Sequence, residues 1–417
     1  MELLDLAVLA GVVLFYSLIS ERLKTTMATG PMIFVAVGLL LGESGFGILE
    51  SGMSEGVVRV LAEATLVLLL FTDAIRIDLR RLRGHAELPA RLLGLGLPMT
   101  MVAGTLVALL LIPGVGLWEA ALVAAILLPT DAALGQVVVT SARVPVRIRQ
   151  ALNVESGLND GLALPVITVI LALAATGVDI ETPRYWVRFA AAQVGFGLLA
   201  GVVVGACGGW LLHAAVQRGW VDGAFRQLAT LAIGVGAFAT AELMNGNGFV
   251  AAFVAGAAFG AAAREQCEGA YDFAEDQGQL LALLTFLYFG SAIAGPVLDD
   301  FTWRIGLYAV LSLTVIRMVP VWLSLLGAHL KPPTVAFLGW FGPRGLASIL
   351  FGLFVLEEAA LPGADELLLV VTWTVIFSIV LHGATAFPLS QRYGAWFSRH
   401  GRADMAEARD VEMMPTR

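Results

Sequence analysis

The chain has 417 residues, of which 58% are hydrophobic and 14% charged, with a mean hydropathy of +0.84 and a formal charge of −8. A soluble domain carries about 25% charged residues, so these values exclude one and specify a polytopic membrane protein in a lipid bilayer. The sequence holds no basic patch with interleaved aromatics for nucleic acid and no Gly-x-x-x-x-Gly-Lys-Ser/Thr loop for nucleotide; Cys207 and Cys267 are too few and too far apart for a disulfide framework or a zinc site.

Windows of about 20 apolar residues predict about thirteen spans, over 3–20, 31–42, 57–75, 88–112, 117–140, 148–174, 186–212, 224–242, 246–263, 277–294, 303–327, 334–357 and 365–388. The first run follows Glu2 and Asp5 and precedes Arg22 and Lys24, the reverse of a cleavable signal peptide. It reads as a mature first helix with an external amino terminus. Odd-numbered exits then face the cytoplasm and collect Arg80, Arg81, Arg83, Arg91, Arg143, Arg147, Arg149, Arg218, Arg264 and Lys331, with Arg402, Arg409 and Arg417 in the tail. The opposite loops hold Arg59, Arg184, Arg188 and Arg304, so the positive-inside rule places the carboxyl terminus in the cytoplasm of a cell whose inner (plasma) membrane the chain spans.

Two spans are interrupted. Span five meets Pro129, which lacks an N–H and pushes its predecessor out of helical geometry. Span twelve meets Gly342-Pro343-Arg344-Gly345. These are the fifth members of two six-span halves, with span seven as connector, the placement of discontinuous helices in inverted-repeat transporters. The expected fold is an all-α polytopic membrane protein of inverted repeats with two broken, crossing helices. Its expected divisions are first scaffold and dimerisation helices (1–87), a core half with the ion site (88–174), a linker helix (175–222), second scaffold helices (223–301), a second core half (302–388) and a cytoplasmic tail (389–417) too short to fold as a sensing domain.

Residues 126–165 concentrate the chemistry. Thr130 and Asp131 follow the proline, and Glu155, Ser156, Asn159 and Asp160 lie on adjoining turns of the next span. Ionisable groups at hydrocarbon depth point to an ion or proton pathway. Hard oxygen ligands around a titratable carboxylate suit a small hard cation that competes with a proton. Asp160 is the expected carrier: one carboxylate that crosses holding either a cation or a proton gives obligatory exchange. Ser156 offers a hydroxyl, the alternative being a bond back to its own helix. Arg344, an arginine at membrane depth, needs a carboxylate or a backbone partner, and Glu155 is the expected one. Arg317, in Val-Ile-Arg-Met-Val-Pro-Val-Trp, reads as a structural cation.

Pro-Thr-Asp at 129–131, Glu-Ser-Gly-Leu-Asn-Asp at 155–160 and Phe-Gly-Pro-Arg-Gly at 341–345 together resemble the monovalent cation:proton antiporters of the NhaP/NHE type, over nearly the full length. The resemblance implies Na+ or Li+ exchange for H+, with K+ as the alternative cation, no cofactor, and a homodimer with spans four to six and eleven to thirteen as the moving core. It implies a Na+ site at Asp160, Ser156 and Thr130, with Asp131 beside it, and a structural Glu155–Arg344 ion pair. Asp131 either assists through a hydrogen bond or holds the unwound helix together. Asn159 stands where the electrogenic branch carries a second aspartate, which implies electroneutral one-for-one exchange; a hydrogen bond from Asn159 to Glu155 or Arg344 is the plainer alternative. Ala132, Asn153-Val154 and Gly157 depart from the common family pattern and leave ion preference open.

Several features carry less. Asp73 and Asp78 read as a solvated or ion-paired mouth, and Glu242 and Asn245 as the lining of an external funnel. His85, His213, His329, His382 and His400 fall at or near the predicted cytoplasmic side, as loop histidines. An intramembrane aspartyl protease would also use two membrane aspartates, but no Gly-x-Gly-Asp stands beside an apolar run.

Overall fold

The computed structural model describes residues 3–23, 26–49, 55–76, 86–175, 183–263, 267–358, 363–400 and 405–408. Lys24, Asp78, Arg80, Arg81, Arg83, His85, Arg264, Arg402, Arg409 and Arg417 lie outside these residues. Each predicted span coincides with helix, and no strand occurs among the described residues. The order is α1 (Leu3–Leu23), α2 (Gly30–Leu41), α3 (Glu55–Arg76), α4 (Glu87–Leu111), α5 (Leu117–Ile126), α6 (Ala132–Val139), α7 (Val146–Ala175) and α8 (Pro183–Gln217). There follow α9 (Gly223–Leu243), α10 (Gly248–Ala262), α11 (Cys267–Tyr288), α12 (Trp303–Leu313), α13 (Val315–Ser324), α14 (Pro332–Trp340), α15 (Leu346–Glu358) and α16 (Ala364–His400). Spans five and twelve are the broken pairs α5–α6 and α14–α15, at the corresponding place in each half. Eight of the described helices are long and apolar enough to cross a membrane by length and composition.

The apolar surfaces sort as a bilayer requires. Leu14, Phe15 and Leu18 on α1 are more than half exposed, as are Leu110 on α4 and Trp210 on α8. Inside, helices approach through small residues. Gly197, Gly201 and Gly205, spaced one turn apart on α8, face the backbone carbonyls of Asn247, Ala251 and Ala255, and any side chain there would collide with them. Side chains around the start of α10 secure this region: Glu242 accepts the Gly248 N–H at 2.8 Å, and Asn247 caps α10 while donating to Thr168 of α7 at 3.0 Å. The site-bearing α7 is thereby held against α10 as well as against α5 and α6.

At the far end, α16 continues through Pro388 to His400, past its predicted end at 388. Apolar composition runs out at 388, but the helix does not. Beyond it, residues 406–408 form a single 3₁₀ turn packed on the bundle. This turn supplies what α14 lacks. Lys331 sits at the N-cap of α14 without a side-chain cap, and Pro332 and Pro333 have no N–H to offer. Glu407, 1% exposed, accepts the Lys331 N–H at 2.6 Å and the Thr334 hydroxyl at 2.9 Å. Arg147, in the first turn of α7, donates to the Ala406 carbonyl at 2.5 Å and to Glu87 at 2.8 Å. The turn therefore ties α7 to α14.

Loss of a helix cap destabilises by about 0.5–2 kcal/mol. Glu407→Ala is expected to lower the melting temperature of the detergent-solubilised protein, and Glu407→Gln, which can still accept, to lower it less. Equal melting of all three proteins would show that the contact contributes nothing.

Candidate functional site

The two breaks meet, and each supplies the charge that the other needs. A helix terminus leaves N–H groups or carbonyls without intrahelical partners and carries about half a unit of charge, positive at the start and negative at the end. Asp131, 7% exposed, stands before α6 and accepts the Leu346 N–H of α15 at 2.7 Å through Oδ2, with Oδ1 3.4 Å from the Leu134 N–H of α6. Its own N–H donates to the Pro343 carbonyl at 2.7 Å. One carboxylate thus faces the positive ends of two half-helices. Arg344, 1% exposed, answers from the other span: its Nη1 donates to the carbonyls of Leu128 (2.6 Å) and Pro129 (3.2 Å), beyond the negative end of α5. Gly345 is obligatory, because a Cβ there would overlap the Asp131 carboxylate.

The unwound segment brings Thr130 against α7. Ser156 Oγ donates to the Thr130 carbonyl at 2.6 Å, and Asn159 Nδ2 donates to Thr130 Oγ1 at 2.6 Å. The structure therefore gathers Thr130, Asp131, Ser156 and Asn159 at the crossing. A cavity of about 20 Å³, roughly the room of one water, opens beside Thr130, Asp131, Ser156 and Pro343 and runs along α6 to Val139. Asp160, next on α7, is only half-buried, while Asp131 and Glu155 are buried. Gly161 lets the Phe253 ring of α10 pack on the helix directly after it.

The expectations for the Glu155 ion pair and for His382 are corrected, and the hydrogen-bond alternatives weighed for Asn159 and Ser156 are not the ones made. Glu155 pairs with Arg317, not Arg344: Arg317 Nη2 lies 2.5 Å from Glu155 Oε1, both side chains at most 4% exposed. Arg344 is committed to the carbonyls of the first break, whereas Arg317 projects inward from α13 and also packs against Gly342. The sequence carried a signal, since Arg317 was a second membrane-depth cation and the region holds a single Glu; only the packing of α13 decides between them. Asn159 bonds Thr130, rather than Glu155 or Arg344. Ser156 bonds the break and not its own helix. Of the histidines, His382 is no loop residue: it is 1% exposed and lies 2.9 Å from the Trp340 carbonyl at the end of α14.

Apolar helices whose two broken members cross mid-bundle, exchanging charged caps around a knot of oxygen ligands, define a secondary transporter of the inverted-repeat kind. The family described as sodium/hydrogen exchanger, transmembrane, matches residues 8–392, and the chain belongs to it. The K(+)/H(+) antiporter NhaP of Alkalimonas amylolytica is 27% identical over 398 residues, covering 94% of this chain and 67% of that protein. The K(+)/H(+) antiporter NhaP2 of Shewanella oneidensis is 27% identical over 384 residues, 91% of this chain and 64% of its own, so the chain spans about two thirds of these relatives. The Na(+)/H(+) antiporter 2 of Zygosaccharomyces rouxii is 28% identical over 360 residues, 80% of this chain and 43% of its own. The structure of the sodium proton antiporter MjNhaP1 from Methanocaldococcus jannaschii shares the fold, with a TM-score of 0.75 at 18% identity over 93% of this chain and 98% of that one.

Removing one partner of a buried ion pair destabilises by about 3–5 kcal/mol, because the other charge is left without compensation. Glu155→Ala and Arg317→Ala are each expected to lower thermal stability sharply, and the double variant to lose less than the sum. A double-mutant cycle of Glu155 with Arg317 should give a larger coupling than one with Arg344; the opposite ranking would return the pair to Arg344.

Proposed function

We propose that the chain is a monovalent cation:proton antiporter in which Asp160 carries Na+ (or Li+) and H+ alternately, one for one. The observation that carries this reading is the division of labour among three acids. Asp131 bridges two helix ends, Glu155 bridges to Arg317, and half-buried Asp160 is the least buried of the three. One turn before it on α7, Ser156 meets the Thr130 carbonyl, oxygens with no further charge, and Asn159 stands as an amide in place of a second acid. One carboxylate compensates one proton or one monovalent cation, so the exchange is electroneutral. Asp131 and Glu155 shape the site without carrying its ion.

K+ is the second reading of the same mechanism, favoured by the names of the NhaP and NhaP2 relatives. We place the chain in the plasma membrane, amino terminus outside, as a homodimer in which residues 88–174 and 302–388 move as the core. A protease reading has lost its dyad, since Asp131 is engaged with two backbone N–H groups.

The test uses proteoliposomes with an internal pH dye. Na+ or Li+ is expected to drive a pH change in wild type that Asp160→Asn abolishes, at a rate indifferent to an imposed membrane potential. Each pH unit below the carboxyl's titration should raise the half-saturating cation concentration about tenfold, by simple competition. A response to K+ alone would reassign the cation. Full exchange by Asp160→Asn would end the proposed mechanism.

A further inference from the structure

α16 passes behind the second break carrying two buried polar side chains one turn apart, Ser378 at 0% and His382 at 1% exposure. Ser378 Oγ accepts the backbone N–H of Arg344 at 2.6 Å. His382 Nδ1 lies 3.1 Å from Ser378 Oγ, and Nε2 lies 2.9 Å from the Trp340 carbonyl. A carbonyl only accepts, so the ring proton belongs on Nε2. Nδ1 then accepts from the Ser378 hydroxyl, whose oxygen accepts from Arg344. The bonds run in one direction, from the Arg344 N–H through Ser378 and His382 to Trp340.

Trp340 is the last residue of α14, and Arg344 stands just before α15. The chain of bonds therefore brackets the unwound segment 341–345 at both ends. It also gives the final carbonyl of α14, which already accepts the Gly342 N–H at 2.8 Å, a second donor from a different helix. Trp340 is held to α16 twice more: its indole Nε1 donates to Thr385 Oγ1 at 3.0 Å, and its ring lies 5.0 Å from the imidazole. What the bracket holds in place is Arg344, whose guanidinium grips the carbonyls of Leu128 and Pro129. The next residue is Thr130, whose two oxygens meet Ser156 and Asn159.

We propose that His382, together with Ser378, is a positioning residue for the cation site, acting as the neutral ring protonated on Nε2 and reaching the site through Arg344. This rests on the antiport reading above. Outer-shell partners of ion ligands typically change affinity or activity about 10–100-fold when removed. His382→Ala is accordingly expected to raise the half-saturating Na+ concentration about tenfold in proteoliposomes carrying equal folded protein. His382→Gln, whose amide N–H reaches the Nε2 position, should recover most of that loss. Ser378→Ala, a smaller change, tests the same chain of bonds if the His382 variants do not fold. A role in stability alone would reduce folded protein and leave half-saturation unmoved; that outcome overturns the proposal while wild-type exchange still stands.

A second measurement does not depend on transport. In protein labelled with ¹⁵N at histidine, the ring signals absent from His382→Gln should report a protonated Nε2 and a bare Nδ1. A ring protonated on Nδ1 would instead donate to the Ser378 carbonyl, 3.2 Å away, and would overturn the assignment. If wild type were silent to every cation, the antiport reading would fall, and the ring state would still decide the bracket.

Discussion

The structure depends on two charges exchanged between two broken helices. Asp131 leaves span five to sit at the positive ends of α6 and α15, and Arg344 leaves span twelve to meet the carbonyls that follow α5. Neither charge would be tolerable in hydrocarbon alone, and neither break would keep its backbone groups satisfied without the other. A charge facing a helix end in a partly buried setting contributes up to about 2 kcal/mol, and here one carboxylate faces two ends. The interruption that would ordinarily destabilise a membrane helix becomes the joint that fixes where two spans cross.

From that joint the proposed ion site follows by geometry. Unwinding at Pro129 frees the Thr130 carbonyl from helical bonding, and Ser156 and Asn159, three residues apart on α7, reach its two oxygens together. Asp160 follows on a helix with thirty residues, braced by α5, α6 and α10. The glycines of α8 and the Asn247–Thr168 bond matter to the site for this reason: they set how closely the neighbouring helices press on α7. Glu155 is buried one turn from Asn159 and forms a pair with Arg317 that is neutral overall.

Much of this was legible in the order of residues. Hydrophobic windows located every span, because lipid requires long apolar runs, and Pro129 and Gly342-Pro343 marked both breaks, because proline lacks the N–H that a helix interior uses, although Pro388 is carried inside α16. Spacing on α7 put Ser156, Asn159 and Asp160 on adjoining turns. Partnerships across spans were less legible. Glu155 had two arginines within the membrane to choose from, and the choice lies in the rotation of α13, which periodicity does not encode. Asp131 as a double cap and His382 as a bracket both require knowing which helix ends lie within hydrogen-bond reach of those side chains. Charge patterning also stopped α16 too early, since a helix needs no apolar face once it leaves the bilayer.

The exchange of charges has a consequence for biosynthesis. Arg344 lies 215 residues after Pro129, which is about 10–40 s of translation at 5–20 residues per second. For most of that interval span five exists while the guanidinium that meets its carbonyls has not been made. The half synthesised first is therefore the dependent one. Its break closes only when the second half arrives, and the 3₁₀ turn around Glu407, made later still, is what ties the completed span twelve to α7.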